Sequence, residues 1–127
     1  MKLSGFAVLF LVGAFACGTP ALQGELGNPR NPVRAHAFLG ELEYLSRLRC
    51  PDGTRPHFQR LPGTAGRGLR GPYGNFVDGY RVRCIYLNME KRIFIDPYHP
   101  RYAERSAVAG FVSGGAPDRR RLFWLDP

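Results

Sequence analysis

Cys50 and Cys84 constrain this chain more than any other pair of its residues. Residues 80–87 alternate, with Tyr80, Val82, Cys84 and Tyr86 against Arg81, Arg83 and Ile85, which is the period of a half-buried strand. Cys84 therefore points to the apolar side. Cys50 follows a segment, residues 33–49, in which Phe38, Leu42, Leu45 and Leu48 recur at steps of four, three and three, marking one face of a helix. A Cys50–Cys84 bond would staple the end of that helix to the inward face of the strand. By removing loop entropy from the unfolded chain it would contribute roughly 3–4 kcal/mol, a useful increment for a domain with a small core.

The remaining elements follow from local chemistry. Asn31-Pro32 reads as a helix start, because the Asn side chain caps free N–H groups and proline suits the first helical position. Glu43 and Arg47 are spaced as a surface ion pair, and Arg47 and Arg49 suit the negative end of the helix dipole. Pro51-Asp52-Gly53 turns the chain after Cys50. Residues 88–91 form a polar turn, and 92–96 return as the second strand of a hairpin. Further strands are expected at 57–61, 107–112 and 122–125, with Ser113-Gly114-Gly115 as a turn between the last two. The predicted fold class is α+β: one N-terminal amphipathic helix packed on a small antiparallel sheet, stapled by the disulfide.

The N-terminus speaks to location. Lys2 precedes an uncharged stretch, residues 5–16 (GFAVLFLVGAFA), which is too short for a bilayer span of roughly 20 residues but suits a secretory signal. It ends in the small-x-small pattern of Ala14-Phe15-Ala16. The string AFACG around Cys17 resembles a bacterial lipoprotein signal, although Ala14 stands where leucine is commonest. That resemblance implies lipidation of Cys17 and anchoring in the cell envelope, and cysteine parity agrees, since a Cys50–Cys84 bond leaves Cys17 over. Anchored and simply released forms both remain open at this point. The expected organisation is a signal peptide over 1–16, a Gly/Pro-containing flexible linker over 17–30 and one small domain over 31–127. An exported protein is expected, periplasmic, outer-membrane-anchored or secreted.

With 18 Lys and Arg against 10 Asp and Glu, the chain carries a formal net charge of +8. Nearly all the basic residues are arginines, scattered along the chain and not massed in one motif. Such a surface attracts polyanions, and for an exported protein anionic lipid and acidic glycan are nearer than nucleic acid.

Specific chemistry is sparse. Residues 66–71 read GRGLRG and match G-x-G-x-x-G, but Pro72, Gly74 and a strand-like segment follow where the dinucleotide fingerprint needs a helix. What survives is a glycine-rich loop in which Arg67 and Arg70 can face an anion. His99 sits between two prolines three residues after Asp96, a rigid turn that would also suit an acid–base pair. Neither H-x-x-x-H nor C-x-x-C spacing occurs, so no metal site and no cofactor are expected. There is no G-x-S-x-G elbow around Ser46, Ser106 or Ser113. The tyrosines, with Trp124, and the Arg119–Arg121 run beside it read more simply as core and solvated strand.

Two function classes fit. The favoured one is a non-catalytic binding domain that takes another protein or a polyanion through basic and aromatic residues. The alternative is a small secreted nuclease-like hydrolase acting on a phosphodiester, for which Asp78, Arg83 and His99 are the only base, phosphate-binding and acid candidates. It requires those three to converge in one cleft.

Overall fold

The computed structural model describes residues 20–62 and 69–115. It shows an α+β fold with one helix, a four-stranded mixed sheet and a small two-stranded sheet. Strand β1 is Val33–Arg34, helix α1 is Ala37–Arg47, and β2 is Leu48–Arg49. They are followed by β3 (His57–Arg60), β4 (Asp78–Cys84), β5 (Met89–Asp96) and β6 (Val112–Ser113). The larger sheet has the order β1-β5-β4-β3, and β2 pairs antiparallel with β6.

The Cys50–Cys84 disulfide is present, with its Cα atoms 5.8 Å apart and both residues buried. The turn at Pro51-Asp52-Gly53 also forms: Gly53 takes φ +84°, and the Asp52 carboxylate accepts from the Thr54 N–H and hydroxyl. Tyr80, Val82 and Cys84 enter the core together with Val33, Tyr44, Leu45, Leu48, Ile93 and Ile95.

Several expectations are corrected. The sheet is mixed, not purely antiparallel, because β1 runs parallel to β5 with Val33 opposite Ile95. The helix starts at Ala37 and not at Asn31-Pro32. Residues 33–37 instead hydrogen-bond to the end of β5 and the loop after it: the Ala35 N–H donates to the Asp96 carbonyl, and the Ala37 N–H to the Pro97 carbonyl. Sheet bonding thus outcompetes the local helix signal, and Asn31 uses its amide on the Gly24 carbonyl. Ala37 enters the helix at φ +56°, a left-handed conformation that alanine adopts only at a cost.

The hairpin strand stops at Cys84, since Ile85, Tyr86 and Leu87 beyond it are exposed and form a 3-10 turn closed by Asn88 at φ +47°. The strand expected over 107–112 is reduced to Val112–Ser113. Gly110 at φ +88° breaks the extended run, and Val108 and Phe111 plug the core from a loop. The strand expected at 122–125 lies outside the described residues.

Residues 23–31, read from sequence as mostly linker, are part of the domain. The Phe94 N–H donates to the Gly27 carbonyl at 2.7 Å, and the Gly27 N–H donates to the Asn31 carbonyl. Gly27 is buried at φ +91°, and a Cβ there would lie 2.7 Å from Val108 Cγ1. The backbone approaches the core too closely for any side chain.

Candidate functional site

The three residues of the hydrolase reading do not converge. Asp78 lies opposite Ile95 and shares the helix-facing side of β4 with Tyr80 and Val82. Arg83, at the far end of the same strand, has the opposite parity and is exposed on the outer face beside Glu90. His99 sits beyond the end of β5, where its Nε2 is 3.0 Å from Asp96 Oδ2. No single cleft holds these three.

Asp96 is fully buried and serves the turn. Its carboxylate accepts from the Tyr98 N–H at 3.0 Å and from the Asn75 amide at 3.2 and 3.3 Å, while the Tyr73 ring meets the His99 imidazole edge-on at 4.7 Å. A carboxylate held by a backbone N–H two residues on is an Asx turn, the local device that rigidifies an Asp-Pro corner. Among the described residues no group of three His, Cys, Asp or Glu side chains is placed to hold a metal ion.

The anion loop is only partly described. Arg67 lies outside the described residues, as does Cys17. Arg70 pairs in a bridge with Phe76, its guanidinium 4.8 Å from that ring and donating to the Gly74 carbonyl at 3.3 Å. It serves to close its own loop.

The open outer face of the large sheet offers a more extended basic surface. Cross-strand register places His57, Arg83 and Glu90 in one row, and Gln59, Arg81 and Arg92 in the next. Directly opposite residues in adjacent strands share a face, so these six side chains project together. Glu90 is the one acid among them and is shared: its Oε1 lies 3.4 Å from Arg81 Nε and 3.8 Å from Arg83 Nε. Three arginines against one carboxylate leave an excess of positive charge on a solvated face. Alternation in 80–87 carries this information in the sequence, but the contribution of Arg92 needs the register of β5.

A second constellation lies on the other side of the sheet and was not legible as a motif. Glu41, in the middle of α1, is fully buried, and its Oε2 accepts a 2.7 Å hydrogen bond from the Tyr80 hydroxyl. Phe58 packs edge-on against the Tyr80 ring. Asp78 neighbours Glu41 and forms a 2.6 Å ion pair with Arg60 of β3. Burial pushes the Glu41 carboxyl up to about 8, against the Tyr80 hydrogen bond; the negative charge of Asp78 and a hydrogen bond to it add to the rise. At pH 7 Glu41 is therefore mostly the neutral acid, and Asp78 beside it is paired with Arg60. The available signal is an acid on the buried stripe: Tyr44, Leu45 and Leu48 follow Glu41 at three, four and seven residues.

In comparisons with known proteins, the chain matches no family model, no curated protein and no solved structure.

Proposed function

We propose that this is an exported, non-catalytic binding domain that takes a repeating anionic polymer on the outer face of its large sheet. The observation that carries this reading is the clustering of Arg81, Arg83 and Arg92 with His57 and Gln59 around the single acid Glu90. Adjacent strands lie ~4.8 Å apart, so the guanidinium groups form a flat array that suits a chain of charges more than one enclosed anion. Arginine also grips phosphate, sulfate and carboxylate groups through paired N–H donors.

The disulfide supports export. A Cys50–Cys84 disulfide is compatible with an oxidising compartment. Among the described residues no helix is long and apolar enough to cross a membrane; the reading of an anchor rests on the signal-like string around Cys17. Lipidation of Cys17 would set the basic face near the envelope, and release would leave it to act on polymers outside the cell.

Binding of the purified protein to heparin and to polyphosphate, measured by anisotropy over a salt series, tests the reading. Replacing Arg81, Arg83 and Arg92 together by glutamine should weaken binding at least tenfold and lower the salt slope by about 2–3. A control triple change at Arg30, Arg55 and Arg105 removes the same charge elsewhere and should leave most of the affinity. Equal losses in the two variants would mean net charge alone is responsible, and the assignment to this face would fail.

A further inference from the structure

A pocket of about 440 Å³ opens between the start of α1 and the loop after β5, lined by His36, Phe38, Glu41, Asp78, Tyr98 and Pro100 among others. It lies on the helix side of the sheet, away from the basic face, and the function proposed above does not use it. Its volume falls within the range of about 300–1,000 Å³ typical of small-ligand sites.

Three features decide what it can hold. Its walls are apolar and wet: Phe38 is 54% exposed and Tyr98 61% exposed, far above the core aromatics. Its inner end is polar and buried. Glu41 Oε1 is out of solvent and receives no hydrogen bond from any protein donor, although Oε2 is held by Tyr80. An oxygen lacking a donor at the end of a pocket is a place for a ligand hydroxyl. Finally, the charges cancel, since the Asp78 carboxylate is paired with Arg60, whose guanidinium also lies 5.7 Å from the Phe38 ring. A cation would have to displace Arg60 and an anion would face two carboxyl groups. A neutral ligand meets neither penalty.

We propose that this pocket binds one neutral sugar ring of a glycan, with Phe38 and Tyr98 against its C–H faces and the Glu41–Asp78 pair bonded to its hydroxyl groups. Sugar rings offer what the site asks for: a flat apolar face for aromatic side chains and a rim of groups that both donate and accept. Asp78 and Glu41 Oε1 can accept, and His36 at the rim adds a third polar group. Ala37, held at φ +56°, lies on the same rim, and strained backbone of this kind gathers at binding sites.

The test uses the purified protein and three neutral trisaccharides: cellotriose, maltotriose and triacetylchitotriose. Calorimetric or NMR titration should give saturable binding for at least one. Phe38→Ala and Tyr98→Ala should each weaken it at least fivefold; both side chains are exposed, and circular dichroism confirms that the variants fold. The Arg81/Arg83/Arg92 glutamine variant should bind the sugar as the parent does, which separates this site from the basic face. Absence of saturable binding for all three sugars would overturn the proposal. So would binding that ignores both aromatic changes, or tighter binding of adenosine than of any trisaccharide.

Discussion

The Tyr80 hydroxyl donates a 2.7 Å hydrogen bond to the buried carboxyl of Glu41, joining the middle of the helix to the centre of the sheet through a polar contact. Burying a carboxyl is costly unless it is neutral or paired. The protein uses protonation for Glu41 and an arginine for the neighbouring Asp78.

Stability should therefore fall as pH rises through the range in which unfolded Glu41 is ionised and folded Glu41 is not. The folded value, about 8, lies above the ordinary 4.5, so the folded state binds the extra proton between them. The contribution is fully present below the lower value and is lost progressively up to the higher one. The slope can reach ~1.4 kcal/mol per pH unit. Glu41→Gln keeps a neutral amide that can donate to Asp78. Urea melts from pH 5 to 9 should show a flatter profile for this variant and greater stability than the parent at pH 9. Parallel profiles would remove Glu41 as the titrating group.

The Cys50–Cys84 bond closes a loop with a sequence separation of 34. Replacing both cysteines by alanine should cost ~3–4 kcal/mol in chemical denaturation, from loop entropy restored to the unfolded chain. Thiol titration of the folded parent should find neither cysteine reactive.

Asp96→Ala would take the acceptor away from the Asn75 amide and the Tyr98 N–H, both part-buried, and leave a gap where the buried carboxylate sat. A loss of ~2–4 kcal/mol is expected, read from thermal melts. Asp96→Asn retains an acceptor oxygen and should cost less. If the alanine variant melted with the parent, the Asx turn would not be what fixes this corner.

Gly27→Ala forces a Cβ against Val108 at a positive φ, and should lower stability by ~1–3 kcal/mol. In a free linker the same change would be neutral, so a denaturation curve shows whether residues 23–31 belong to the folded unit.

Much of the frame was legible because it rests on local rules. Alternation at Tyr80, Val82 and Cys84 set the strand face, the apolar steps toward Leu48 marked the helix, and their geometry paired the cysteines. What escaped depends on long-range partners. Asn31-Pro32 carries a helix-start signal, yet the edge of β5 captures the backbone of the residues that follow, Val33 to Ala35. Gly27 looks like a linker glycine until Phe94 and Val108 are brought beside it. The Asp78, Arg83 and His99 grouping failed for a parity reason: Asp78 and Arg83 are five apart on one strand and must face opposite ways. Glu41 escaped because a glutamate on a helix is ordinarily solvated, and only its place between Tyr80 and Asp78 makes it unusual.

The most direct test of the proposed function is a map of where a polyanion touches the protein. An NMR titration of the uniformly labelled protein with a size-defined heparin fragment provides that map. The account predicts shift changes concentrated on His57, Gln59, Arg81, Arg83, Glu90 and Arg92, reversed by added salt. Changes spread over the whole surface, or gathered around Arg70 with the sheet face silent, would contradict it.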